Sequence, residues 1–210
     1  MSHQEKIYLA SKSPRRKELL QQVGIAYEVL LLRDAPPRGP DVTEIVLPGE
    51  KPQAYVARVT QEKAEMAWKV MQLRGLPQRP VLAADTTVVL GEQILGKPAN
   101  RDEAIAMLTQ LAGQTHQVLT SIAVRSEQGL HTVTQCSEVS FAAMSQAEIA
   151  AYCDTSEPYD KAGGYGIQGA AARYIANIRG SYSGIMGLPI FETCQLLEAA
   201  GVRNTTDRPL

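Results

Sequence analysis

Ile7-Tyr8-Leu9-Ala10-Ser11-Lys12-Ser13-Pro14-Arg15-Arg16 reads as a buried strand running directly into a helix. The first four residues are a short apolar run of the kind a strand covered on both faces needs. Ser13 then stands as an N-cap, and Pro14 takes the first helical position, where its missing N–H costs nothing and its fixed φ suits the helix. The first-turn N–H groups have no intrahelical partners and carry the positive end of the helix dipole. An anion placed over them gains hydrogen bonds and field together. The hydroxyls of Ser11 and Ser13 flank that position, and Lys12, Arg15 and Arg16 add mobile charge. An arginine can also grip a phosphate through two parallel N–H groups. Read alone, the same pattern also describes an ordinary capped helix with solvated cations.

Outward from this stretch, Leu19, Leu20 and Val23 mark one helical face, and Gly24 stands where a left-handed C-cap is expected. Ile25 to Leu32 predicts a second strand, central on its apolar density. Between Arg33 and Pro52, the residues Pro36, Pro37, Gly39, Pro40, Pro48 and Gly49 predict a long irregular connection, a kind of loop that is usually functional or mobile. Its carboxylates Asp41 and Glu44 either reach a metal or sit on a solvated surface. Pro52 opens a long helix with an inward stripe of Val56, Val59, Met66, Val70 and Leu73. Lys63 falls beside that stripe, where a lysine snorkels or faces a cleft.

Val81-Leu82-Ala83-Ala84-Asp85-Thr86-Thr87-Val88-Val89-Leu90 is an apolar strand interrupted at its middle by a carboxylate. Burying that group is costly unless it is paired, hydrogen-bonded or bound to a metal, so Asp85 is either a satisfied structural aspartate or a working one. A turn at Gly91-Glu92 returns the chain through Ile94-Leu95-Gly96-Lys97-Pro98, making Lys97 a candidate phosphate contact. Asn100 to Leu111 reads as a capped helix ending at Gly113, Gln117–Arg125 and His131–Phe141 as a hairpin, and Ser145 with Glu148 as a capping box. Tyr159-Asp160-Lys161-Ala162-Gly163-Gly164-Tyr165-Gly166-Ile167-Gln168-Gly169 lets the backbone approach a ligand closely, or forms a flexible surface loop. A strand around Tyr174, Ile175 and Ile178, a turn at Gly180–Gly184, a last helix from Pro189 to Gly201 and a loose tail at 203–210 complete the reading. Helices and strands alternate and then yield to a hairpin. This predicts an α/β (α+β mixed) protein with a mixed twisted sheet flanked by helices.

The 210 residues fit one domain with two lobes around a cleft, with 44% apolar and 20% charged residues. A net charge of −1 argues against a general nucleic-acid binder, so any anion binding must be local. Cys136, Cys153 and Cys194 are odd in number and widely spaced, and with His3, His116 and His131 they make no zinc-like cluster. No apolar signal core or membrane-length run is found, so no membrane partner and a cytoplasmic location are expected.

Taken together, Ser11-Lys12-Ser13-Pro14-Arg15-Arg16, Ala84-Asp85-Thr86, Gly96-Lys97-Pro98, Asp160-Lys161-Ala162-Gly163-Gly164-Tyr165-Gly166-Ile167-Gln168-Gly169, Gly180-Ser181-Tyr182 and Met186-Gly187-Leu188-Pro189 resemble the Maf family of nucleoside triphosphate pyrophosphatases, in its dTTP/UTP branch. The resemblance runs from about Lys6 to Gly201. It implies a fold similar to the inosine triphosphate pyrophosphatases, with a central nucleotide cleft. It also implies hydrolysis of the α–β anhydride of dTTP and UTP, extending to modified pyrimidine nucleotides, with Mg²⁺ or Mn²⁺, in a homodimer that keeps nucleotide pools clean. Asp85 carries the family's proton acceptor, and Arg15, Thr86 and Gln168 its pyrimidine specificity. On this reading Ser11, Ser13, Arg15, Lys63, Lys97 and Lys161 are expected to hold phosphates, and Asp85 with Glu44 to hold the metal. The proline-rich 33–52 segment departs from the shorter acidic connection usual in the family. Two further readings are a 7-methyl-GTP pyrophosphatase, against which Ala84-Asp85-Thr86 speaks because that branch carries S-D-Q there, and a nucleotide-binding regulator of septum formation without turnover.

Overall fold

The computed structural model describes residues 6–33 and 39–202. The predicted tail at 203–210, His3, Pro36 and Pro37 lie outside the described residues. One seven-stranded mixed sheet carries the molecule. Its strands are β1 (Ile7–Leu9), β2 (Tyr27–Val29), β3 (Val81–Leu90), β4 (Gln93–Leu95), β5 (Thr115–Ser126), β6 (Gly129–Phe141) and β7 (Ile175–Arg179). They lie in the order β2-β1-β3-β5-β6-β7, with β4 paired to β3 off that path. The helices are α1 (Pro14–Gln22), α2 (Pro52–Leu73), α3 (Arg101–Leu111), α4 (Gln146–Cys153), α5 (Tyr182–Met186) and α6 (Ile190–Ala199).

The alternation of side chains along β3 explains why its sequence is apolar nearly throughout. Leu82 and Ala84 pack with Ile7, Leu9, Leu20, Ile122 and Leu197 on one face. Val81 and Ala83 pack on the other against Ala64, Ala67, Trp68 and Met71 of α2. Further along, Val88 joins Val118, Val139, Leu108, Ile149 and Tyr165 in a second core. The long strands β3, β5 and β6 thus run from one core into another.

Capping chemistry predicted the helix starts well. The side chains of Ser13, Asn100 and Ser145 cap α1, α3 and α4, the last with the complete Ser145–Glu148 box. Packing overrode the sequence reading elsewhere. The second strand is three residues long and lies at the sheet edge rather than its centre, with Val29 and Leu31 exposed. Along α2, Val56 and Val59 are inward as expected, but the stripe continues through Ala64, Ala67, Trp68 and Met71, and Leu73 is 86% exposed. The small alanines let the helix lie close to the sheet, which outweighs the bulk of Met66 and Val70 on the neighbouring face. The predicted turn at Gly180–Gly184 is instead the start of α5, capped by the Ser181 hydroxyl. Tyr174 belongs to a 3-10 turn rather than to β7.

Candidate active site

The site begins as a gap in the sheet. On the edge of β3 away from β5, β1 pairs with Val81 and Leu82, and β4 pairs only from Val88 onward. Residues Ala83 to Thr87 face no strand on that side among the described residues, and Asp85 stands in the middle of the notch. The backbone groups left there need partners. Arg16 supplies one, its Nη1 donating to the Ala84 carbonyl at 2.8 Å, and it also reaches the Gly187 carbonyl through Nε at 2.8 Å. It further donates to Ser11 Oγ at 3.1 Å and Thr86 Oγ1 at 3.2 Å. Burial lowers its pKa, with Asp85 opposing the shift. The mobile charge read into Arg16 from sequence is therefore corrected: this guanidinium is a fixed clamp between α1, β3 and the end of α5.

The clamp orders the hydroxyls around it. Thr120 has one hydroxyl proton, which the Gly184 carbonyl takes at 2.7 Å, so across their 3.0 Å contact Thr86 Oγ1 donates to Thr120 Oγ1 while accepting from Arg16. Ser11 Oγ likewise accepts from the Ser13 N–H at 3.2 Å and from Arg16. Ser13 Oγ caps α1 by accepting the Arg16 N–H. Each serine keeps a proton to offer an anion above the helix terminus.

Facing the notch, the fourth turn of α2 directs Lys63 inward. Its Nζ lies 2.7 Å from Asp85 Oδ1 and 2.7 Å from Glu44 Oε1. Asp85 is 9% exposed and Lys63 is largely covered, so this lysine faces the cleft rather than snorkelling to solvent. Glu44 does arrive from the proline-rich segment. Burial raises its carboxyl pKa, but Lys63, Lys97 and Arg16 outweigh that and hold it below the usual carboxylate range. Asp41 does not come with it, because Arg33 binds it through both the backbone N–H at 2.7 Å and Nε at 2.8 Å. Tyr55 donates to the Glu44 carbonyl, and its phenol is pushed up to about 12 by burial with Asp85 and Glu44 adding to the effect.

The third wall is the stretch from Tyr159 to Gly169, in which two short 3-10 turns, Glu157–Asp160 and Ala162–Gly164, lead into irregular chain. Tyr165 anchors it from below, with its hydroxyl 2.7 Å from His116 Nε2 in a cluster with Phe141. A Cβ at Gly163 would stand 2.9 Å from Val88, which is why the chain lies so near β3 there. Arg15 Nη1 reaches Asp160 Oδ2 at 3.4 Å, and Lys161 Nζ is held by Asp160 and by the Glu157 carbonyl. The cleft enclosed in this way has a volume of 1120 Å³. Ser11, Ser13, Arg15, Glu44, Lys63, Asp85, Thr86, Lys97, Lys161 and Gln168 all line it.

Two carboxylates converge on one cation position, occupied by the Lys63 ammonium. No group of three or more metal-ligating side chains occurs among the described residues. Mg²⁺ characteristically takes one or two protein carboxylates and completes its shell with water and substrate phosphates. The donor set of Asp85 and Glu44 fits such a cation arriving with a polyphosphate.

The Maf-like protein family pattern matches residues 6–200. The chain belongs to the Maf family. It is 52% identical over 197 residues to the dTTP/UTP pyrophosphatase of Cupriavidus pinatubonensis, covering 94% of this chain and 98% of that one. It is 51% identical over 196 residues to the dTTP/UTP pyrophosphatase of Nitrosomonas europaea, covering 93% and 95%. Among solved structures, the Staphylococcus aureus Ham1 protein aligns with a TM-score of 0.41 and 17% identity over 66% of this chain and 72% of that one. A likeness that loose carries no argument about this Maf protein.

Sequence reasoning missed Arg16 as a clamp, Tyr55, His116 and Glu157. For Arg16 the sequence says only that it leaves the helix about 100° away from Arg15; both line the cleft, and nothing local marks which of the two is clamped. For His116 and Glu157 the partners lie on separate elements, and no local pattern marks them.

Proposed function

We propose that this Maf protein hydrolyses dTTP and UTP at the α–β anhydride, releasing the nucleoside monophosphate and pyrophosphate. The observation that carries the reading is Asp85, a nearly buried carboxylate in the β3 notch, bound on one oxygen by Lys63 and facing the α1 N-terminus across the cleft. Lys63 engages Oδ1, so Oδ2 is available to accept a proton from water attacking the α-phosphorus. Ser11, Ser13 and the Arg15 N–H at the start of α1 receive phosphate oxygens, while the Arg15 guanidinium, Lys97 and Lys161 offset the charge that develops on the pyrophosphate leaving group. A divalent cation, Mg²⁺ or Mn²⁺, held by Asp85 and Glu44 would neutralise phosphate oxygens and make the attacking water more acidic.

At the far wall, Thr86 Oγ1, whose own proton goes to Thr120, keeps acceptor capacity toward a donor on the pyrimidine edge. The Gln168 amide, which both donates and accepts, matches the imide N–H and its neighbouring carbonyl. Cytosine lacks that imide proton, so the same pair disfavours CTP. Modified pyrimidines that keep the imide edge fit this reading, and with it a role in clearing nucleotide pools of the cytoplasm. The family resemblance supports a homodimer, which sedimentation at micromolar concentration tests.

The decisive experiment measures pyrophosphate release from dTTP, UTP, CTP, GTP and 7-methyl-GTP with Mg²⁺ or Mn²⁺. Release from dTTP and UTP that falls by two or more orders of magnitude in a folded Asp85→Asn variant is expected. Near-wild-type turnover in that variant, or release from 7-methyl-GTP alone, overturns the reading; tight binding with no product favours the non-hydrolytic regulator.

A further inference from the structure

Glu157 opens the 3-10 turn that leads into the glycine-rich wall, and its carboxylate ties that wall to the core. The phenol of Tyr152, buried on α4, donates to Oε1 at 2.8 Å, and the Ala170 N–H donates to Oε2 at 2.9 Å. A Cβ at Gly169 would stand 2.0 Å from Oε1, so the carboxylate fills the space that any side chain there would need. The backbone carbonyl of the same residue accepts Lys161 Nζ at 2.7 Å. The lysine stem in turn lies where a Cβ at Gly166 would come within 2.9 Å of it. Both ends of the segment from Lys161 to Ala170, which carries Gln168, therefore close on one residue.

We propose that Glu157 is a positioning residue that sets the register between Lys161, which grips phosphate, and Gln168, which reads the base. The proposal rests on the roles given to those two residues above. Without such a tie, a segment with Gly163, Gly164, Gly166 and Gly169 has wide backbone freedom, and the two contacts would form at independent entropic cost. Burial, followed by the bond to Glu157, raises the Tyr152 phenol pKa, so the phenol stays protonated as a donor at working pH. The tie does not require the charge. In Glu157→Gln the amide oxygen can accept from Ala170, while the amide N–H donates to a Tyr152 hydroxyl turned to accept. In Glu157→Asp the side chain is one methylene too short to span both partners.

The test compares Glu157→Ala, Glu157→Asp and Glu157→Gln with the wild type in UTP and CTP kinetics and in amide hydrogen exchange at Ala170. Loss of a charge-assisted hydrogen bond predicts a KM for UTP raised roughly tenfold in the Ala and Asp variants, with the preference for UTP over CTP falling by a similar factor. Glu157→Gln should stay within about twofold of wild type on both measures. Ala170 exchange should accelerate in the Ala and Asp variants and not in Gln. Where Glu157→Ala does not fold, the Asp variant carries the comparison. An unchanged UTP-to-CTP ratio in a destabilised variant, or an Ala170 amide still protected, overturns the proposal. If the wild type releases pyrophosphate from neither dTTP nor UTP, it is the functional reading that fails, and exchange at Ala170 alone decides the role of Glu157.

Discussion

Arg16→Lys separates a structural clamp from a mobile phosphate-gripping cation, since both readings keep the charge and only one needs the fork. The guanidinium donates from three nitrogens to the carbonyls of Ala84 and Gly187 and to the hydroxyls of Ser11 and Thr86. A lysine has one nitrogen, and its three donors radiate from a point, so it cannot reach both carbonyls and still hold Thr86. Hydrogen bonds to charged donors contribute roughly 1.5–3 kcal/mol each, and a buried carbonyl left unpaired costs roughly 1–3 kcal/mol. With one carbonyl and Thr86 lost and part of the remainder regained by the ammonium, the net destabilisation is about 3 kcal/mol. For a chain of this size that lowers Tm by roughly 6–12 °C. Calorimetry and urea melts at pH 7.5 measure it, the urea midpoint falling while the slope stays constant. Thr86 loses its fixed donor in the same variant, so KM for UTP should rise even where the protein is fully folded. A Tm within about 1 °C of wild type, with nucleotide affinity alone reduced, would restore the mobile-cation reading and refute the clamp.

Three further outcomes follow from the same geometry. Asp160→Asn releases Arg15 and Lys161 from an exposed carboxylate and removes a like charge from the path of the phosphates, so KM should fall about two- to fivefold at low salt and the gain should shrink at high salt; a raised KM would contradict this. Burial pushes the His116 imidazole down to about 4 from an ordinary 6.5, so the unfolded chain binds the extra proton first. That stability is complete above about pH 6.5 and is lost as pH falls towards 4, by up to about 3 kcal/mol; urea melts from pH 4.5 to 7.5 should show this slope, and a slope unchanged in His116→Phe would assign it elsewhere. Chelation with EDTA should abolish turnover and leave the melting temperature within about 1 °C, because two carboxylates without a third ligand among the described residues make a site completed by substrate. A large fall in Tm on chelation would mean a resident structural metal instead.

Much of the fold was legible because local chemistry and tertiary packing agree along most of this chain. Ser13, Asn100 and Ser145 start helices through hydrogen bonds to their own first turns. Gly24, Gly113 and Gly201 take the positive φ that ends them. The hairpin from β5 to β6 needs only its alternation and its turn. What was not legible depends on partners far away in sequence. The apolar run Ile25–Leu32 looks central, yet nothing within it says that only β1 lies beside it, so its outer residues are exposed at the edge. The α2 stripe was misplaced for a related reason: bulk marks a face that wants burial, whereas close approach to a sheet selects the alanines.

The site divides along the same line, and the division has a physical cause. Asp85 announced itself because a carboxylate inside an apolar strand violates local consistency, and such violations concentrate where function pays for them. The lysines and the glycine-rich stretch were legible for the same reason, as cations and backbone freedom placed where packing alone would not ask for them. Arg16 and Glu157 gave no such signal, since a charged residue at a helix start or in a turn is ordinary. Their meaning lies in what they join. Arg16 fills the β3 edge that β1 and β4 leave open, and so keeps the notch from being a defect. Glu157 does the same for a segment whose glycines let it approach β3 but give it no shape of its own. A cleft cut into a sheet exposes backbone groups and loosens neighbouring segments, so the residues that grip a ligand are only half of what it requires. The other half are charged residues turned inward to replace the missing strand, and these are visible only once the sheet order is known.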